Sequence, residues 1–85
     1  MKPITVYTMD YCPYCERAKR LLQARGYAFT EKKVGMDDEA QWKALEAQTG
    51  MKTMPQIFIG SQCIGGCTDL EALDSAGKLA SLVEA

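Results

Sequence analysis

The chain has 85 residues, 47% hydrophobic and 25% charged, with a net charge of −1, the proportions of a soluble globular protein; residues 1–85 are expected to form one domain. So even a charge balance argues against a nucleic-acid binder, whose footprint is a strong basic excess, and the absence of histidine removes Cys–His hydrolases and histidine-bearing zinc sites. No run approaches the ~20 apolar residues of a spanning helix, and Met1 to Val6 shows no apolar signal core, so no membrane partner is expected and the expected location is the cytoplasm.

Ile4-Thr5-Val6-Tyr7 is β-branched and aromatic, the composition of a short buried strand. Met9-Asp10-Tyr11 forms a loop that delivers Cys12, and Pro13 suits a first helical position, where its missing N–H costs nothing. Tyr14, Ala18, Leu21 and Leu22 then recur at helical spacing, with Glu16, Arg17, Lys19 and Arg20 on the wet face, until Gly26 stops the helix. Tyr27 to Val34 reads as a second strand with Phe29 its clearest core residue. Asp37, Asp38 and Glu39 place acid where a helix start favours it, and that helix carries Trp42 and Leu45 inward and ends at Gly50. A loop, Met51 to Pro55, leads to the apolar strand Ile57-Phe58-Ile59, and Gly60-Ser61 is a hairpin turn with glycine first that returns through Gln62-Cys63-Ile64. Gly65-Gly66 breaks that strand, and Thr68 with Glu71 makes the spacing of a capping box. Leu70 and Leu73 face the core of the next helix, Gly77 ends it, and Leu79, Leu82 and Val83 pack a last short one. The order is β-α-β-α-β-β-α with a helical tail, in which the first two strands are expected to be parallel and the hairpin antiparallel.

The chemistry concentrates at Cys12 and Cys15. A Cys-x-x-Cys pair just after a strand and opening a helix is a redox motif with a mechanism. Unsatisfied N–H groups and the macrodipole at the helix start favour negative charge on the first sulfur, and the thiolate is the nucleophile in disulfide exchange. Cys15 lies about one turn on, on the same helix face, so it can resolve a mixed disulfide formed at Cys12 while being the deeper, less reactive thiol. Two other readings use the same residues: a zinc site completed by Cys63 and Cys67, or a structural disulfide. The long separation of the second pair counts against the first, and a reducing compartment against the second. Thr68 is expected to begin a helix, so its N–H and that of Asp69 can receive an anion. Cys63 alternates with Ile64 on a strand and reads as a small buried hydrophobe.

Three segments together resemble the dithiol glutaredoxins, small bacterial-type members above all: Cys12-Pro13-Tyr14-Cys15, then Thr53-Met54-Pro55, then Gly65-Gly66-Cys67-Thr68-Asp69. They occur in the family's order and span essentially the whole chain. The resemblance implies the thioredoxin fold, an α/β architecture whose four-stranded mixed sheet is flanked by helices. It also implies an enzyme that reduces protein disulfides and glutathione mixed disulfides, with glutathione as electron donor, regenerated by glutathione reductase. Cys12 would be the nucleophile and Cys15 the resolving thiol. Pro55 would be a cis-proline facing the dithiol, and the backbone of Met54 would pair with the cysteinyl part of glutathione. Thr68 and Asp69 would hold its γ-glutamyl end, Gly66 and Cys67 would let it approach the backbone, Tyr14 would wall the groove, and Thr53 and Lys52 would complete it. Clients would be oxidised or glutathionylated proteins, ribonucleotide reductase being typical of the family, with no nucleic acid, no metal and a monomeric state. Some relatives instead bridge a [2Fe–2S] cluster, but those usually carry another residue where Pro13 stands. One departure is plain: many members have lysine where this chain has Met9. Lys52 is then left to meet the glycyl carboxylate alone, and losing one exposed ion pair weakens binding by only ~0–1 kcal/mol.

Overall fold

Alternation along Ile4–Thr8 makes the first strand, β1: Ile4, Val6 and Thr8 are buried, and Thr5 and Tyr7 between them are half-buried. In the computed structural model, which describes residues 1–85, it is followed by α1 (Pro13–Ala24), β2 (Thr30–Lys33), α2 (Glu39–Thr49), β3 (Gln56–Ile59), β4 (Gln62–Gly65), α3 (Cys67–Ser75) and α4 (Leu79–Glu84). One four-stranded sheet has the order β2-β1-β3-β4; β1 runs parallel to β2 and antiparallel to β3, and β3 and β4 form the antiparallel hairpin. Gly60 takes φ +62 at the hairpin turn, the conformation its glycine-first sequence anticipated. The fold is the mixed, helix-flanked sheet expected from the element order.

Two apolar clusters divide the interior. Ile4, Val6, Ile57 and Ile59 meet Ala18 and Leu22 of α1, Leu70 of α3, and Leu79 and Val83 of α4. The smaller cluster joins Cys12, Cys15, Val34, Leu45 and Met54, with Tyr7, Met9 and Trp42 packed against it. On the sheet's other face Tyr7 meets Phe58 edge to face at 5.6 Å. Cys12 and Cys15 therefore belong to the minor cluster, beyond the end of β1.

Several expectations shift. The second strand is shorter than Tyr27 to Val34, because the Tyr27 N–H closes the end of α1 on the Leu22 carbonyl at 3.0 Å rather than joining the ladder. Phe29 is consequently half-buried at the edge of the larger cluster. On α1 the inward face is Cys15, Ala18 and Leu22, while Tyr14 is 55% exposed at the rim. Lys19, placed on the wet face by spacing, is drawn in to 19% side-chain exposure by glutamates on both sides. Cys63 is half-buried, since β4 is an edge strand. Finally, α3 begins earlier than Thr68: Gly66 is the N-cap, and its N–H donates to Asp69 Oδ2 at 2.9 Å. The frame of that cap is Gly66 with Asp69, and Glu71 turns instead to Arg17, which donates to it from two nitrogens at 2.7 Å.

Candidate active site

Chain order puts Cys12 at the N-cap of α1 and Pro13 at its first turn, as the spacing required. The Cys15 N–H donates to Cys12 Sγ at 3.2 Å, so one of the orphan donors at the helix start is spent on that sulfur. The same sulfur faces the Met54 carbonyl at 3.8 Å, across from the proline loop. Cys12 is 7% exposed and opens on solvent through a groove, whereas Cys15 is 1% exposed behind it. Burial pushes the Cys15 thiol up to about 12, and the neighbouring Cys12 sulfur adds to the rise. The pair is thus asymmetric, with one sulfur on the groove and one kept protonated beneath.

The groove has a volume of about 520 Å³. Its walls contain Cys12 and Tyr14, the loop Lys52-Thr53-Met54-Pro55, and the segment Gly66-Cys67-Thr68-Asp69, so every residue expected at the site except buried Cys15 meets there. The Met54–Pro55 peptide is cis, as the motif implied. Cys67, Thr68 and Asp69 occupy the first turn of α3, where backbone N–H groups lack helical acceptors and partial positive charge gathers. One Asp69 oxygen is occupied by the Gly66 N–H. Gly65 is held to glycine twice over: its φ is +112, and a Cβ there would fall 2.6 Å from Asp69 Cγ. Lys52 stands at the rim, 78% exposed and 3.8 Å from Glu46.

Two contributors, Tyr11 and Gln56, escaped the sequence reading, and two more, Met51 and Trp42, join the groove. Tyr11, 95% exposed, takes φ +56, the only non-glycine residue with positive φ, and lines the groove beside Cys12 with Pro13. Adjacency to the motif was its sole signal. Met51 and Trp42 close the far side. Beneath the proline loop lies Gln56, fully buried: its amide donates to the Met51 carbonyl at 3.3 Å and the Thr53 carbonyl at 3.2 Å, and its oxygen accepts from the Thr49 hydroxyl at 3.0 Å. A polar residue opening an apolar strand was the available clue. Cys67 is buried against the larger cluster, and burial first, then Glu71, raises its thiol. All four cysteines are free, and no three of the Cys, Asp and Glu side chains are grouped to hold a metal ion.

Similarity to known proteins points the same way as the geometry. The family model described as Glutaredoxin matches residues 4–64. A glutaredoxin of Pseudomonas aeruginosa is 46% identical over the full length of both chains, and glutaredoxin 3 of Escherichia coli is 43% identical over 99% of this chain and 100% of that one. Among solved structures, a buckwheat glutaredoxin–glutathione complex superposes with a TM-score of 0.90 at 33% identity, over 98% of this chain and 77% of that one. Glutaredoxin from Brucella melitensis gives 0.85 at 43% identity, over 98% and 89%. With a family model over most of its length and full-length relatives above 40% identity, the chain belongs to the glutaredoxins, thiol–disulfide oxidoreductases of thioredoxin fold.

Proposed function

We propose that the protein reduces glutathione mixed disulfides and protein disulfides with glutathione as electron donor. The observation that carries this reading is the groove itself, which sets Cys12 between a proline loop and the first turn of a helix. Glutathione is an anionic, extended tripeptide, and each part has a counterpart here. Its γ-glutamyl carboxylate suits the free N–H groups at Thr68 and Asp69. Its cysteinyl backbone suits strand-like pairing with Met54. Lys52 is the cation nearest the glycyl end. The likeness to a relative solved with glutathione lends support.

In the reaction, the Cys12 thiolate attacks the glutathione sulfur of a mixed disulfide, and the client leaves as its thiol. A second glutathione then reduces the Cys12 adduct, and glutathione reductase restores the oxidised product. With a protein disulfide, Cys12 bonds to one client sulfur and Cys15 displaces it, leaving a Cys12–Cys15 disulfide for glutathione to reduce. Four free thiols suit work in a reducing compartment such as the cytoplasm.

The test is turnover of a small glutathione mixed disulfide coupled to glutathione reductase and NADPH. Cys12→Ser is expected to abolish it. Cys15→Ser is expected to retain it while losing most reduction of a protein disulfide. Activity surviving in Cys12→Ser would refute the assignment of the nucleophile, and turnover unchanged when glutathione is replaced by another monothiol would refute the role of the groove.

A further inference from the structure

Resolution needs the Cys15 thiolate, yet that sulfur is 1% exposed with its pKa pushed up to about 12. The charges near it are few. From α2 and the proline loop come only Leu45 and Met54, which are apolar. Of the charged groups only Cys12 and Lys19 act on it directly, and the cleft on the Lys19 side is lined further by Asp10, Glu16, Glu31 and Lys33.

Lys19 is the cation on the helix face of Cys15, one turn along. It acts against the rise in the Cys15 pKa. Its Nζ is pinned between the carboxylate of Glu16 on its own helix and that of Glu31 on β2, the latter at 3.1 Å. Glu31 is itself fixed, because it accepts the hydroxyl of buried Thr8 at 2.7 Å. This cluster lines a second cleft of about 500 Å³, which shares with the groove only Met9, Tyr11, Cys12 and Pro13. An ion pair tethered to two strands and lining its own cleft beside the dithiol is more than a surface contact.

We propose that Lys19 is a positioning residue for the resolving step, holding positive charge beside Cys15 while that thiol gives up its proton to water. This rests on the reading of Cys12 and Cys15 given above. The step balances without a further reagent. The Cys15 sulfur bonds to Cys12 Sγ, the bond from Cys12 to the client sulfur breaks, and the electron pair leaves with the client thiolate. The mixed disulfide is the oxidant. Glu16 and Glu31 oppose the thiolate, so Lys19 has two effects: it attracts the forming charge and it neutralises the carboxylates that would repel it.

Reduced protein mixed with a symmetrical aromatic disulfide separates the steps, since each releases one coloured thiolate. The first phase reports Cys12 attack and the second reports Cys15, the latter being absent in Cys15→Ser. In Lys19→Met the second phase is expected to slow about tenfold relative to the first at neutral pH, with its pH profile displaced upward by about one unit. Lys19→Arg is expected to restore it. Glu31→Gln removes an opposing charge and is expected to displace the profile downward. A merely structural bridge predicts that Lys19→Met and Glu31→Gln move the second phase alike, and that result, or an unchanged profile in Lys19→Met, would overturn the proposal. Absence of the first phase in the parent protein would instead overturn the assignment of Cys12.

Discussion

At the residue scale the site depends on what immediately surrounds Cys12. Its sulfur takes the Cys15 N–H and faces Met54, while Met9, half-buried against the same cluster, lines both clefts. A thioether there supplies packing without charge. Met9→Lys would add a cation at the edge of the groove and is expected to tighten glutathione binding modestly, by ~0–1 kcal/mol, with the gain fading at high salt. Titration of the reduced protein with glutathione at two ionic strengths checks this, and equal affinity at low salt would show that the position does not reach the ligand. Pro13 and the two glycines before Cys67 were legible because each has a backbone reason to be there. The left-handed φ of Tyr11 was not, since a bulky side chain gives no notice of it.

At the element scale, short segments hold the groove by borrowing from longer ones. The loop Met51 to Pro55 has no regular structure of its own, and Gln56 at the head of β3 ties two of its carbonyls down. Gln56→Leu would keep the volume and leave the Met51 and Thr53 carbonyls and the Thr49 hydroxyl without those partners. A stability loss of about 1–3 kcal/mol is expected, together with a raised KM for glutathione mixed disulfides. Chemical denaturation and steady-state kinetics check the two parts. A stability loss with unchanged KM would mean that Gln56 braces the core without shaping the loop. The helices α1 and α3 are strapped at the surface by the Arg17–Glu71 and Arg25–Asp74 pairs, both two-pronged. Each guanidinium holds its carboxylate partner below the usual range. Stability from these pairs is present above the ordinary carboxylate pKa and is lost as pH falls through the lowered value.

For the whole molecule, function has placed an unpaired thiol where a hydrophobe would ionise nothing. Cys15 has an ordinary value of 9.0 and is held near 12 in the folded state, and Cys67 is raised in the same direction by burial. The unfolded chain therefore releases these protons first. Their contribution is complete below pH 9.0 and declines as pH rises toward about 12. Reduced protein is expected to lose stability steadily across that window, and Cys15→Ala to flatten the decline; denaturant midpoints under anaerobic reducing conditions measure both. A decline of equal slope in Cys15→Ala would assign the loss to other groups.

The sequence by itself determined most of the elements, their order and the Cys-x-x-Cys pair at a helix start, because these follow from local rules: helix caps, turn glycines, strand alternation and motif spacing; the three segments of the groove were legible through their resemblance to the glutaredoxins. Only the tertiary structure decided where those local signals compete. Tyr27 had strand chemistry, yet its N–H went to the end of α1. Thr68 had cap chemistry, yet Gly66 and Asp69 formed the cap, and Glu71 paired with Arg17 on another helix. Lys19 looked like a solvated charge on α1 until β2 brought Glu31 against it. The Arg17–Glu71 and Lys19–Glu31 partners lie far apart in sequence and meet only once the chain has packed, whereas at Tyr27 and Gly66 two local signals competed and the packed chain chose between them.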